Sequence, residues 1–348
     1  MTATRANLLR LMALGTILAA AVGVTGCARE QEAVARLVVD TARLDLTHGR
    51  VMPVDLRWEI LRPLEQRATE PLVFVHLLDA EGVVVRTYDH AFPEPWESGA
   101  RVIDRLHLVH SAIAPALPPG AYRLTVGLYD GSSHRWPLVV EGPEVGRQEY
   151  VVAQVDVPAL DPEGPRFTFS EGWLPVEPGT DRQTVARRWL TGDGGITVVG
   201  LEGPAQVWLV LQIPVPTPGL RLAMEDGAVE PSVRLVSDCS GFAATLSGVG
   251  FHQLTIPVGD SVAGSGAAPR QSGAADEGVD SPSPEGGAAE AAADPGPTAA
   301  GTEGEGEAAA PAGCSIRFDA NYTLVDMETL RKLSVGLEQL GWQRDGGG

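Results

Sequence analysis

The chain has 348 residues, the length of about two ordinary domains, and it can bury at least one sizeable hydrophobic core. Its 26 basic and 45 acidic side chains give a formal net charge of -19 at pH 7. A charge of this sign repels phosphate backbones and anionic lipid headgroups. The composition therefore excludes broad electrostatic binding to nucleic acid or to an anionic membrane surface.

The residue composition favours short strands over long helices. The chain contains 41 glycines and 27 prolines, which mark turns, while aromatic residues make up only 5%. Lys332 is the only lysine, so a Schiff-base or P-loop lysine would have to be this residue. We expect neither chemistry.

The N-terminus carries an export signal. Arg5 and Arg10 precede an apolar run over Leu11 to Val24, which is too short to span a bilayer comfortably and is typical of a signal-peptide core. The run ends in Val24-Thr-Gly-Cys27, which resembles the lipobox of bacterial lipoproteins. The alternative is an ordinary secretory signal with a chance cysteine.

The lipobox resemblance implies a signal peptide over residues 1–26, a mature chain that begins at lipidated Cys27, and a tether over residues 27–33. The implied partner of the tether is a membrane, bound through several acyl chains. Ala28 stands where an aspartate would retain the protein at the inner membrane, so in a diderm cell we expect the outer membrane or the cell surface.

Two further cysteines remain for the exported chain. Cys239 and Cys314 would lie in an oxidising compartment, where we expect them to form a disulfide. Two free buried thiols are the alternative. A metal site is not expected, because neither cysteine has a CxxC partner or a nearby histidine.

Residues 34–158 predict an antiparallel β-sandwich. In the segment from Tyr122 to Tyr129, apolar residues alternate with mostly polar or small ones, which indicates a half-buried strand. The preceding Pro118-Pro-Gly-Ala favours a turn and a tyrosine corner at Tyr122. The predicted strands are 37–46, 54–60, 72–79, 83–88, 102–109, 122–130, 136–140 and 150–157.

This first domain also carries a family resemblance. The motifs Val73-Phe-Val-His-Leu-Leu-Asp79, Pro118-Pro-Gly-Ala-Tyr122 and Gly127-Leu-Tyr-Asp130 occur in order, with Gly82, Asp89, Trp96, Gly99 and Asp104 between them. Over residues 72–138 the chain resembles the immunoglobulin-like sandwich domain appended to bacterial membrane glycosyltransferases. The resemblance implies a fold and an extracytoplasmic location, and it transfers no catalytic residue.

A linker over residues 159–166 precedes a second sandwich, predicted for residues 167–342, and a flexible tail over 343–348. Nine short strands favour a jelly roll. Gly172-Trp173, Arg188-Trp189 and the run 327–336 resemble a second sandwich domain seen near such glycosyltransferases. The predicted strands are 186–190, 195–199, 206–213, 220–224, 233–236, 242–246, 251–258, 315–324 and 333–342.

The second sandwich is interrupted by a segment over residues 259–313 that consists almost wholly of Ala, Gly, Pro, Ser, Thr and acidic residues. It contains ten acidic residues and one arginine, Arg270. A segment of this composition cannot bury enough apolar surface to order itself, so we expect disorder. Its role is left open between a tolerated insertion, a solvated spacer, a glycosylated stalk and a partner-binding tail.

No catalytic or metal site is predicted. Ser261 has no glycine two residues later, so the G-x-S-x-G nucleophile turn is absent. His107 and His110 are three residues apart on a predicted strand, so they point to opposite faces and cannot form a metal-binding pair. His76 lies in an apolar strand, where a hydrogen-bonded core histidine is expected rather than a metal ligand. Asp319, Asp326 and Glu328 offer oxygen ligands for calcium, but surface solvation is the favoured role.

Three tryptophans at predicted turns are the candidate ligand-binding residues: Trp96, Trp136 and Trp173. An indole with polar neighbours can stack on a sugar face, and loops on rigid sandwiches commonly carry binding sites. The alternative is that each tryptophan caps the end of its sandwich core.

Together these patterns predict a non-enzymatic, lipid-anchored binding or scaffolding protein of the bacterial cell envelope that needs no cofactor. The expected partner is an envelope glycan. The competing partner is another envelope protein, engaged through sheet edges or the acidic segment. A hydrolase with a site assembled from scattered carboxylates is the third hypothesis.

Overall fold

The structure is a computed structural model that describes residues 32–64, 70–131, 134–179, 181–201, 203–225, 227–258, 270–271 and 313–344. Within these ranges every regular element is a strand and there is no helix. None of the described residues therefore belongs to a helix long and apolar enough to cross a membrane. The predicted all-β fold class is confirmed.

The first sandwich consists of two facing sheets. One has the strand order β10-β1-β3-β7, and the other has the order β11-β12-β8-β4-β5, with β2, β6 and β9 added at its margins. This is the arrangement of an immunoglobulin-like domain, with β1, β3 and β7 in one sheet and β12, β8, β4 and β5 in the other. The strands are β1 (Ala35–Val39), β2 (Arg43–Asp45), β3 (Val51–Ile60), β4 (Leu72–Leu78), β5 (Val84–Thr87), β6 (His90–Ala91), β7 (Arg101–Val109), β8 (Gly120–Tyr129), β9 (Arg135–Trp136), β10 (Leu138–Val139), β11 (Glu144–Gly146) and β12 (Glu149–Val157).

The second sandwich follows after Asp161-Pro-Glu-Gly-Pro165. Its sheets have the orders β13-β16-β23-β19-β20 and β14-β15-β26-β17-β21-β22, and β18-β24-β25 form a small third sheet. The chain passes back and forth between the two main sheets, as in a jelly roll. The strands are β13 (Arg166–Phe169), β14 (Glu177–Pro178), β15 (Ala186–Trp189), β16 (Gly194–Val199), β17 (Ala205–Ile213), β18 (Leu220–Met224), β19 (Ser232–Ser237), β20 (Ala243–Ser247), β21 (Gly250–Val258), β22 (Arg270–Gln271), β23 (Cys314–Ala320), β24 (Tyr322–Asp326), β25 (Lys332–Leu333) and β26 (Gly336–Arg344).

Four predicted strands are split in the structure, and each split occurs where the chain changes sheets: 37–46, 136–140, 315–324 and 333–342. The segment 37–46 divides because β1 pairs with β3 while β2 pairs with β12 of the opposite sheet. The segment 315–324 divides at Asn321, whose side chain accepts a hydrogen bond from Ser232 N (2.7 Å) and donates one to Glu230 O (3.1 Å). Alternation alone does not mark a change of sheet.

The predicted tyrosine corner is present. The hydroxyl of Tyr122, near the start of β8, donates a 2.8 Å hydrogen bond to the carbonyl of Pro118. This bond ties the turn to the strand that carries the buried Leu124, Val126 and Leu128. It fixes the entry of β8 into the sheet.

Candidate functional site

The junction between the two sandwiches is held by backbone contacts from β26. Trp342 N donates to Gly49 O (2.8 Å), and Ala112 N donates to Leu340 O (2.8 Å). Leu340 N in turn donates to the hydroxyl of Ser111 (3.1 Å). The last strand of the second sandwich therefore lies directly against the first.

A small apolar cluster sits at the centre of this junction. Val51 and Val109 of the first sandwich are buried and pack against Trp208 of β17. The His107 ring lies 6.0 Å from the Trp208 ring at an interplanar angle of 30°. A Cβ placed on Gly341 would lie 2.5 Å from a methyl of Val51, so only glycine allows the strands to approach this closely.

The loop after β7 enters the second sandwich. Ile113 and Ala114 are buried in the core of that sandwich. His110 holds the base of the loop, because its Nε2 accepts a hydrogen bond from Leu117 N (3.0 Å) and its Nδ1 therefore donates to Leu46 O (3.3 Å). Burial, and next the neighbouring His48, lower the pKa of His110 to about 4, so the neutral ring is the stable form.

Beside the apolar cluster lies a cavity of about 600 Å³. We call it the acidic cavity, because Asp89 of the first sandwich and Asp181 and Glu338 of the second line it. Its other walls include the His107–Trp208 ring pair, the amide side chains of Gln183, Gln253 and Gln339, and Phe251. Phe251 is 47% exposed and offers an open aromatic surface.

Glu338 is the most buried acid of this cavity, at 3% exposure. It is the extra residue of a β-bulge, since β26 pairs Gln339 with Val210 and Leu337 with Leu211. Bulges re-aim side chains, and this one places a carboxylate at the junction. Arg187 Nε donates to Oε1, whereas no described residue donates to Oε2.

The electrostatics of the acidic cavity follow from this burial. Burial raises the pKa of Glu338 above its ordinary value, Arg187 opposes the shift, and Asp181 adds to it. Burial likewise raises the pKa of Asp89, whose carboxylate accepts a 3.1 Å hydrogen bond from Val75 N and lies 3.9 Å from His76 Nε2. Asp181 accepts hydrogen bonds from Gln183 N (2.9 Å) and Thr184 N (2.7 Å).

His90 is one of the cationic groups in the wall of the acidic cavity, together with Arg105. Its Nδ1 lies 2.9 Å from the carbonyl of Tyr88 and its Nε2 lies 2.8 Å from the buried carboxylate of Asp104. Both partners are acceptors, so both ring nitrogens carry protons when both bonds are made. Burial lowers the pKa of His90, but the bond and charge of Asp104 together with the Tyr88 carbonyl outweigh it, and the pKa is raised.

A second cavity of about 470 Å³ lies on the other side of the apolar cluster, and Arg105 lines both cavities. We call it the arginine cavity, after Arg50, Arg105 and Arg344. Arg105 is paired with Asp55 at 2.9 Å, and the Arg50 guanidinium lies 5.9 Å from the Trp342 ring centre. Asp40 and Asp55 also line this cavity, so its wall carries three guanidinium groups and two carboxylates.

A larger depression of about 790 Å³ lies on the outer face of the sheet that contains β16, β23 and β19. Asp193, Arg234, Arg317 and Asp319 line it together with small polar residues, and its one aromatic residue, Phe318, is buried. Burial first, and then the neighbouring Asp319, raise the pKa of Asp193. Because it has no exposed aromatic residue, this depression is a weaker candidate for a sugar-binding site than the acidic cavity.

None of the three predicted tryptophans lines the acidic cavity. Trp136 and Trp173 are buried, at 3% and 7% exposure, as the core-capping alternative predicts. Trp96 is half-buried, donates its indole hydrogen to Arg62 O (3.0 Å) and packs edge-on against Phe92. Of the three, only Trp96 keeps an indole surface partly open.

The predicted disulfide between Cys239 and Cys314 is present, with its Cα atoms 5.4 Å apart. Among the described residues, the single group of three metal-type ligands is Asp238 with these two cysteines, whose sulfurs are already bonded to each other. Asp326 does not meet Asp319; it accepts hydrogen bonds from Thr329 and Glu328 N within its own turn. Cys27, residues 1–26, Ser261, residues 345–348 and almost all of 259–313 lie outside the described residues.

No family model and no curated protein matches the chain. Among solved structures, it is similar to Escherichia coli alpha-2-macroglobulin in its native conformation (13% identity over 66% of this chain, TM-score 0.21) and to a Salmonella alpha-2-macroglobulin variant (12%, 66%, 0.20). The matches cover only 12% and 13% of those chains. A third similar structure is pT26-6p (9% identity, 67% of this chain, 57% of that chain, TM-score 0.20).

Proposed function

We propose that the protein is a non-enzymatic, lipid-anchored binding protein of the bacterial cell envelope, and that it binds a glycan in the acidic cavity between its two sandwiches. The proposed localisation is supported by the signal peptide, by the lipobox that ends at Cys27, and by the resemblance of the first domain to the glycosyltransferase-associated sandwich. A disulfide between Cys239 and Cys314 fits an oxidising compartment.

The observation that carries the proposal is the composition of the acidic cavity. Sugar recognition requires side chains that bond hydroxyls in defined directions and an aromatic surface for the apolar face of the ring. The cavity combines carboxylates and amides, such as Asp181, Gln183 and Gln253, with the half-exposed Phe251. Its volume of about 600 Å³ lies in the range of small-ligand sites.

Binding of the soluble chain from residue 28 onward to a panel of envelope polysaccharides and oligosaccharides tests this proposal. We expect saturable binding that falls about tenfold or more in Gln253→Ala and Phe251→Ala, because each removes a cavity contact. Trp96→Ala is the matched control at the alternative site and should bind normally. Loss of binding in Trp96→Ala alone would move the site to the loops.

Absence of binding to every glycan would overturn the proposal and favour a structural lipoprotein with a protein partner. In that case deletion of residues 259–313 should abolish capture of an envelope protein. The deletion variant should keep its glycan affinity if the proposal holds.

Hydrolysis is the second candidate function, because the two carboxylates Glu338 and Asp181 line the same cavity and burial raises the pKa of Glu338. A raised pKa is what a glycosidase general acid requires. Incubation of each bound oligosaccharide with the protein should release no reducing ends. Release that disappears in Glu338→Gln would overturn the non-enzymatic assignment.

A further inference from the structure

The loop after β7, residues 110–117, makes the deepest contact between the two sandwiches. Among the described residues that form the buried core of the second sandwich, only Ile113 and Ala114 come from the first sandwich. At the tip of the loop, Ala112 N donates a 2.8 Å hydrogen bond to Leu340 O of β26. The docking of this loop therefore fixes how the first sandwich contacts the second.

The base of the loop requires a neutral histidine. Leu117 N donates a hydrogen bond to Nε2 of His110 (3.0 Å), and Nδ1 of His110 donates to Leu46 O (3.3 Å). A proton on Nε2 would face the N–H of the buried Leu117 and break this bond. The buried N–H would then lack an acceptor, which is unfavourable inside a protein. The hydrogen bonds alone therefore require the neutral ring.

The groups around His110 also disfavour a charged ring. Burial lowers its pKa most, the neighbouring His48 lowers it next, Arg86 of β5 lowers it as well, and the Leu46 carbonyl opposes them. Within the described part of the chain, no Asp or Glu forms an ion pair with His110. His48 and Arg86 also bond the loop, because Nε2 of His48 lies 3.0 Å from Ala114 O and Arg86 donates to the next carbonyl at 3.2 Å. Protonation would thus add a charge where the base of the loop is held by two other basic side chains.

We infer that the loop after β7 is an acid-sensitive contact: protonation of His110 opens the base of the loop and releases its tip from the second sandwich while both sandwiches stay folded. This inference concerns the protein without ligand and does not depend on the proposed glycan binding. Because Asp89 of the first sandwich and Gln253 of the second both line the acidic cavity, release of the loop would also separate the walls of that cavity.

Native-state hydrogen exchange of the soluble chain from residue 28 onward, corrected for the intrinsic rate at each pH, tests this inference. The amides of Ala112 and Leu340 report on the loop, because both donate hydrogen bonds across the junction. His110 takes up its proton near pH 6.5 when the loop is released, but only near pH 4 when it is docked. The protection factors of both amides should therefore fall about tenfold between pH 7.5 and pH 5.5. They should also stay below the protection of Leu124, a core residue that we expect to exchange only on unfolding.

Two variants, each with a matched control, locate the effect. His110→Gln should remove the pH dependence at Ala112 and Leu340, whereas His134→Gln, which removes another histidine of the first sandwich, should keep it. Ile113→Ala shortens the side chain that anchors the tip and should lower both protection factors severalfold at each pH. Ile103→Ala shortens an isoleucine that is 63% exposed and should leave them unchanged.

Each contrary result would overturn the inference. Corrected protection factors that do not change with pH, or a change that persists in His110→Gln, would exclude His110 as the trigger. Protection of Ala112 and Leu340 equal to that of Leu124 at both pH values would show that the loop opens only when the protein unfolds. If His110→Gln does not fold, unchanged protection in Ile113→Ala would contradict the inference on its own. None of these results bears on the proposed glycan binding, which the glycan panel tests separately.

Discussion

The core of the first sandwich and the junction between the sandwiches bury different kinds of side chain. The core is apolar, with fully buried residues such as Trp58, Leu77 and Leu124. The junction has an apolar cluster of Val51, Val109 and Trp208, and polar cavities on both sides of it. A core of the first kind stabilises one domain, whereas a junction of the second kind leaves concave polar surface for a ligand.

The largest expected effect separates core from junction. Leu124→Ala should lower the free energy of unfolding by about 3 kcal/mol, because it removes a fully buried side chain and leaves a cavity. Urea unfolding measures this loss. Val126→Ala in the core and Val109→Ala at the junction form the matched pair of truncations, and Val109→Ala should cost less because its neighbours are fewer. Equal losses would contradict the distinction between core and junction.

The loop after β7, which packs into the core of the second sandwich, should make stability depend on pH. His110 is held neutral in the folded protein by a pKa lowered from 6.5 to about 4, so the unfolded chain binds a proton that the folded chain does not. The free energy of unfolding therefore falls by roughly 3 kcal/mol as the pH is lowered from above 6.5 towards 4, because protonation of His110 favours the unfolded chain over this range. Urea unfolding at several pH values should show the loss, and His110→Asn should flatten it.

His90 acts in the opposite direction on the same curve. Its pKa is raised, so the stabilisation it provides is complete below pH 6.5 and is lost as the pH rises through its folded-state pKa. An unfolding free energy that keeps rising as the pH falls below 6.5 would contradict the assignment for His110.

A smaller effect is expected where the strands meet most closely. Gly341→Ala should cost about 2 kcal/mol, because the added methyl would lie 2.5 Å from Val51 and must push the sandwiches apart. Thermal unfolding measures the cost, and glycan affinity should fall with it. Gly192→Ala is the control: it has open space around its Cβ position, so it should change neither the thermal stability nor the glycan affinity. Gly203→Ser would be a poor control, because Gly203 has a positive φ.

The smallest effect concerns the turn at the start of β8. Tyr122→Phe removes the hydrogen bond to Pro118 O and should cost about 1 kcal/mol, with glycan affinity unchanged. Urea unfolding measures the loss of stability, and a binding titration on the same sample measures the glycan affinity. A loss of affinity comparable to that of Gly341→Ala would mean that the first sandwich transmits changes to the junction.

The fold was largely predictable from local patterns. The alternation around Leu124 and Val126 located β8, the Pro-Gly turn located the tyrosine corner, and the cysteine count predicted the disulfide. Each of these signals lies within a few residues of the chain or rests on simple counting.

The candidate site was not predictable in the same way. Asp89, Asp181 and Glu338 are far apart in the chain and meet only because β26 lies against the first sandwich. The bulge that places Glu338 depends on strand pairing, which no single segment encodes. Tryptophans at predicted turns gave a stronger sequence signal, yet Trp136 and Trp173 are buried.

Hydrogen exchange, measured with and without the tightest-binding saccharide, tests the central claim most directly. We predict protection of the backbone around residues 181–184, 251–253 and 338–339, where residues that line the acidic cavity lie. Protection confined to residues 93–99, 134–137 and 171–175, around the three loop tryptophans, would contradict it.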